Sequence, residues 1–145
     1  MKKILLCLGL LVTDVNAHHI ITKNEKECMV LAVYHEGRSE PELGQYAIMD
    51  VIKNRSDSDK FPKHNICDVI KREKQFSFYN KGWKSMKNLK VKKEIEERVE
   101  SYYNGLNVGI TNGSKWYHAV YVQPKWSKNL NKVIQIGNHI FYNEK

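Results

Sequence analysis

Apolar residues recur at helical spacing through the first two thirds of the chain and then give way to short aromatic and β-branched runs. Met29, Ala32 and Val33 mark one face of a first helix spanning Glu25 to Glu36, which Gly37 and then Pro41 bring to an end. Glu36 falls on that same face. Leu43, Ala47, Ile48, Val51 and Ile52 predict a second helix over Glu42 to Arg55, with Pro41 just ahead of its first turn. Ile66 to Arg72 reads as a short third helix. Val91, Ile95, Val99, Tyr102 and Leu106 give a fourth over Val91 to Tyr103, closed by Asn104-Gly105, with charged residues filling the exposed positions between them.

After Gly105 the period changes. Asn112-Gly113 is a turn signal, and Lys115 to Val122, Lys132 to Ile136 and His139 to Tyr142 carry the aromatic and β-branched content of strands. The pattern predicts an α+β fold: a helical body with a small antiparallel sheet late in the chain. Asn54 to Asn65 and Asn80 to Lys90 are polar and read as surface loops.

The first residues change the picture of where this domain works. Met1-Lys2-Lys3 is basic, Ile4 to Val12 is apolar, and Val15-Asn16-Ala17 offers small residues for cleavage, so residues 1–17 are expected to be a signal peptide and residues 18–145 one catalytic-sized domain. The apolar run is shorter than the roughly 20 residues that a membrane anchor requires. Leu5-Leu6 before Cys7 lacks the small pair of a lipidation site. An exported protein in the periplasm, cell wall or medium is therefore expected, with no membrane anchor after processing.

Loss of the leader removes Cys7 and leaves Cys28 and Cys67, compatible with one bridge and equally with two buried thiols. The full chain carries a formal charge of +8, and the mature part stays basic, which points to an anionic partner. Export argues against nucleic acid and in favour of cell wall.

Glu36 is the first candidate for chemistry. A carboxylate at the end of an apolar stripe resists ionising and can act as a general acid. Gln75-Phe76-Ser77-Phe78 forms a second group. The third combines Trp116-Tyr117-His118, Pro124-Lys125-Trp126 and Ile136-Gly137-Asn138-His139-Ile140-Phe141-Tyr142. Amide, hydroxyl and indole groups at loop ends suit a sugar site, where aromatic faces cover the apolar side of the ring. From these groups, Gln75, Phe76, Ser77, Tyr117, His118, Trp126, Asn138 and His139 are the candidate substrate contacts. Each has a plainer role: Tyr117 and Trp126 as core, His118 and His139 as satisfied strand residues, Asn138 as a turn residue tolerant of unusual backbone angles. Arg38 is expected to orient a loop through a salt bridge.

In order along the chain, Tyr34-His35-Glu36-Gly37-Arg38-Ser39-Glu40, Gly44-Gln45, Asn54-Arg55, Phe61-Pro62, Cys67-Asp68-Val69-Ile70, Gln75-Phe76-Ser77 and Ile136-Gly137-Asn138-His139-Ile140-Phe141-Tyr142 resemble the SleB-type cell wall hydrolase family. The first block stands where the family has Tyr-Gly-Glu-Ala-Arg-Gly-Glu, with His35, Gly37 and Ser39 as departures. The resemblance implies a lysozyme-related fold, cleavage of the MurNAc-GlcNAc glycan strand of peptidoglycan as a lytic transglycosylase, and Glu36 as the essential carboxylate. It implies no cofactor and no metal, and a monomer is expected. Glu40 is the only nearby second carboxylate, and Pro41 is expected to turn it outward.

Two other functions compete. A zinc amidase could draw on His18, His19, His35, His64, His118 and His139, but their spacing gives no His-Glu-x-x-His. A basic wall-binding module without catalysis fits the size and charge, yet gives no reason for the position of Glu36.

Overall fold

Thr22 opens the first helix with a reciprocal cap: its hydroxyl accepts from the Glu25 amide at 3.2 Å, and the Glu25 carboxylate accepts from the Thr22 amide at 3.2 Å. The computed structural model describes residues 21–61, 65–72 and 85–145. The expected leader, His18, His19, His64 and Gln75-Phe76-Ser77 lie outside the described residues.

Among the described residues four α-helices come first: α1 (Lys23–Gly37), α2 (Glu42–Ser56), α3 (Ile66–Arg72) and α4 (Leu89–Tyr103). Three strands follow: β1 (Trp116–Ala119), β2 (Asn131–Ile136) and β3 (His139–Asn143). A 3-10 turn at Lys125–Asn129, which the sequence pattern did not reveal, precedes β2. The sheet is antiparallel in the order β1-β3-β2. This is the α+β arrangement anticipated from the change of period.

The α4 terminus shows why Asn104-Gly105 ends a helix. Gly105 has a φ of +99°, its amide donates to the Tyr102 carbonyl at 2.9 Å, and the Leu106 amide donates to the Ser101 carbonyl at 3.0 Å. Asn112 and Gly113 both take positive φ, at 49° and 76°, and turn the chain toward β1.

Met29, Val33, Ile48, Met49, Ile52, Ile70, Ile95 and Val99 are almost wholly buried and form the main core between the helices. A second cluster of Ala47, Val51, Ile136 and Phe141 joins α2 to the sheet. Two stripe assignments fail: Leu43 and Leu106 are exposed, because each stands at a helix boundary with no element packed over it. The polar segment from Asn54 is also not all loop. Asn54, Arg55 and Ser56 finish α2, and Arg55 and Ser56 are buried.

Cys28 and Cys67 form a disulfide that staples α1 to α3 across 39 residues of sequence. Closing a loop of that size stabilises a fold by about 4 kcal/mol in the chain-entropy account. Replacing both cysteines with serine is expected to lower the thermal midpoint and the urea midpoint together. The same loss should follow treatment of the native chain with reductant, as read by circular dichroism.

Candidate active site

Glu36 lies in the last turn of α1, half-buried, on the face that carries the wholly buried Met29 and Val33. Two close contacts set its surroundings. The next residue, Gly37, has no side chain, and a Cβ there would stand 2.6 Å from the Ile48 Cδ1, so α1 and α2 approach closely beside the carboxylate. The preceding residue, His35, meets the Ser85 hydroxyl through Nε2 at 2.7 Å. The family's glycine would leave that hydroxyl without this partner. Tyr34 is buried, and its hydroxyl accepts from the Asn88 amide at 3.0 Å, tying the end of α1 to the start of α4. Arg38 places its guanidinium 5.1 Å from the Tyr34 ring centre, so its observed partner is an aromatic face.

Glu40 departs from expectation. Pro41 does not turn it outward; the side chain is only 5% exposed and its two oxygens accept from Asn138, from the amide at 2.8 Å and from Nδ2 at 3.2 Å. The reason is geometric. The Glu40 amide donates to the Gly37 carbonyl at 2.9 Å, a tight turn that aims the side chain back toward the β2–β3 connection. Two glycines make room for it. A Cβ on Gly44 would stand 3.0 Å from the Glu40 Cβ, and one on Gly137, whose φ is +56°, would collide with Glu40 Oε2. Asn138 is thus a hydrogen-bond donor, and Gly137 supplies the unusual backbone angle.

The third candidate group divides between the two faces of the sheet. In the β1–β3 register Tyr117 stands opposite Phe141 and Ala119 opposite His139, so these share the face that meets α2. Tyr117 packs edge-on against His139 with ring centres 5.1 Å apart. His118 and Tyr142 lie on the other face, stacked at 5.2 Å, with Trp126 edge-on to both. His118 Nδ1 donates to the Ala119 carbonyl at 2.8 Å, which leaves Nε2 to accept from the Tyr142 hydroxyl at 2.9 Å. Both nitrogens of His118 therefore have partners within the sheet. Tyr117 and His139 share the Glu40 side, whereas His118 and Trp126 do not.

Sequence reasoning passed over Asp50 and gave Gln45 no role beyond the resemblance. Asp50 is 1% exposed and accepts from the Tyr102 hydroxyl at 2.8 Å, the Gly109 amide at 2.7 Å, the Thr111 amide at 3.0 Å and the Thr111 hydroxyl at 2.5 Å. Burial and this carboxylate together push the Tyr102 phenol well above its usual pKa. A lone acid among Ile48, Met49, Val51 and Ile52 was the available signal. Gln45 donates to the Glu40 carbonyl at 3.4 Å and accepts from Arg98 at 3.0 Å. Asn54 donates to the Ser114 carbonyl at 3.0 Å, and Arg55 to the Lys115 carbonyl at 2.5 Å, which fixes the entry to β1.

Comparison with known proteins agrees with this architecture. The Cell Wall Hydrolase family profile matches residues 39–142, and the chain belongs to that family. It is 31% identical over 121 residues to the spore cortex-lytic enzyme of Bacillus cereus, covering 83% of this chain and 44% of the relative. A spore cortex-lytic enzyme of Oceanobacillus iheyensis is 30% identical over 130 residues, covering 88% of this chain and 45% of its own. The chain thus spans under half the length of these curated relatives.

Among solved structures, it superposes on the catalytic domain of the germination-specific lytic transglycosylase SleB from Bacillus anthracis. The TM-score is 0.71 at 28% identity, over 86% of this chain and 98% of that one. The Bacillus cereus SleB catalytic domain gives a TM-score of 0.69 at 26% identity, over 90% of this chain and 100% of that one.

No group of three His, Cys, Asp or Glu side chains able to hold a metal occurs among the described residues. None of the helices there is long and apolar enough to cross a membrane.

Glu40→Gln is expected to destabilise the fold by about 2–3 kcal/mol, because an amide donor then faces an Asn138 donor. Asn138→Ala, which keeps its backbone donor, should cost about half as much; paired urea melts and the double variant measure the coupling. Burial pushes the His139 imidazole below its usual pKa and His118 adds to this, while Glu40 at 3.7 Å opposes both. A neutral native histidine gives stability that is complete above the unfolded value near 6.5 and is lost as pH falls toward the lower native value. His139→Gln should flatten that decline in urea midpoints measured between pH 7.5 and 5.

Proposed function

We propose that Glu36 is the catalytic carboxyl group of a peptidoglycan-cleaving lytic transglycosylase acting on the MurNAc-GlcNAc strand. The observation that carries this reading is the division of labour between two glutamates four residues apart in sequence, one in the last turn of α1 and one in the turn that follows it. Glu36 ends a buried stripe on α1, while Glu40 is buried and has both oxygens in hydrogen bonds to Asn138. Hydrolases that use two carboxyl groups hold them about 5–9.5 Å apart and leave the second free to attack the sugar or activate water. Glu40, bound to the hairpin, is poorly suited to either task.

A single acid suffices if the substrate brings its own nucleophile. The Glu36 carboxyl protonates the glycosidic oxygen as the bond from muramic C1 breaks and the GlcNAc hydroxyl departs. The resulting carboxylate then takes the proton of the muramic C6 hydroxyl, whose oxygen bonds to C1 and closes a 1,6-anhydro ring. Glu36 ends protonated as it began, and no water is consumed. The fold shared with the SleB catalytic domains supports this chemistry.

Tyr117 and His139, on the helix-facing side of the sheet, are the sheet residues best placed to adjoin the substrate. Export through residues 1–17 is part of the same proposal, and the Cys28–Cys67 bridge supports it because disulfides persist in oxidising compartments. The chain would then act on peptidoglycan as a monomer outside the cytoplasm.

Glu36→Gln is expected to fold normally and still sediment with peptidoglycan while turnover falls by about 10²–10⁴. Mass spectrometry of fragments released by the native chain should find anhydromuramic ends. Reducing muramic ends would mean that water is the nucleophile, and freed stem peptides with loss of activity in EDTA would mean an amidase.

A further inference from the structure

Tyr121 is 85% exposed, the most exposed large hydrophobic side chain among the described residues, and Val120 and Val122 beside it are exposed as well. Such a cluster has an energetic cost in water, and a contiguous apolar tip on a protein surface marks a place that something covers. This tip is also held firmly. The Val122 amide donates to the Ala119 carbonyl at 2.9 Å, which closes the turn that carries Tyr121. The Val120 amide donates at 2.8 Å to the carbonyl of Asn138, the residue whose amide donates to Glu40.

A continuous series of hydrogen bonds therefore runs from Tyr121's turn through Asn138 to Glu40, four residues from Glu36. The main chain that carries the ring is thus held relative to the end of α1, while the ring itself projects into solvent without contributing to the core. Gln123, also exposed, places an amide next to the tip.

We propose that Tyr121 is a substrate platform on which a pyranose ring of the glycan strand stacks, at a subsite beyond the bond being cleaved. The C–H face of a sugar is apolar and its edge carries hydroxyls, so an exposed phenol ring beside an amide matches both surfaces. This subsite rests on the reading of the protein as a glycan-strand enzyme, and continuity with the Glu40–Asn138 contact favours that occupant over an unrelated partner.

Binding, rather than cleavage, is the measurement that isolates it. In the Glu36→Gln background, Tyr121→Ala should weaken sedimentation with purified, peptide-free glycan strands by about three- to tenfold. Tyr121→Trp and Tyr121→Phe should retain binding, and the melting temperature should be unchanged in all three. With Glu36 restored, Tyr121→Ala should raise KM for long strands more than it lowers kcat.

Undiminished strand binding by Tyr121→Ala would overturn the proposal. So would a lowered melting temperature, which would make the residue structural, or a loss of self-association on sedimentation, which would make the tip a contact between copies. Retained cleavage by Glu36→Gln would instead strike at the catalytic assignment, and the difference in binding between the Tyr121 variants would still report on the platform.

Discussion

The clasp between Glu40 and Asn138 joins the two halves of this molecule. Its partners are 98 residues apart in sequence, one in the turn between α1 and α2 and the other in the β2–β3 connection. A buried carboxylate without partners is strongly unfavourable, so the hairpin must sit where its donors reach both oxygens. That requirement fixes the height of the sheet against the helices. It also explains the small residues around it, since Gly44 and Gly137 each leave the space that a side chain would take from Glu40.

Asp50 does the same from the middle of α2. Four donors from Tyr102, Gly109 and Thr111 converge on it and draw the segment after α4 onto the helix. The Cys28–Cys67 bridge adds a covalent link from α1 to α3 around the apolar core. These two buried carboxylates serve the fold, whereas half-buried Glu36 lies at the boundary where an acid can meet a substrate.

Many of the residues that carry the family resemblance prove to be supports. Gly44 admits Glu40, Gln45 bridges the Glu40 carbonyl to Arg98, Asn54 and Arg55 hold the entry to β1, and Asn138 completes the clasp. Their side chains hold the end of α1 and the sheet in fixed relation. The departures have local consequences too: His35 gains a hydroxyl partner in Ser85, and Gly37 accepts the methyl of Ile48.

Periodicity made the helices and strands legible because burial of one face imposes its repeat on the sequence, and the ends were legible where glycine or proline constrains the backbone. The half-buried position of Glu36 at the end of α1 was legible by its place on an apolar stripe. The partner of each polar group was not, since a hydrogen bond across 50 to 98 residues leaves no local pattern. Glu40 illustrates this: proline after it constrains the main chain, but where its carboxylate goes depends on donors supplied by the hairpin. The separation of His118 and Trp126 from Tyr117 and His139 likewise needed the strand register, which decides the face each residue occupies. Composition and spacing determined the elements and the candidate acid; only the packed chain decided which carboxylates became structural, because that choice belongs to the groups brought near them.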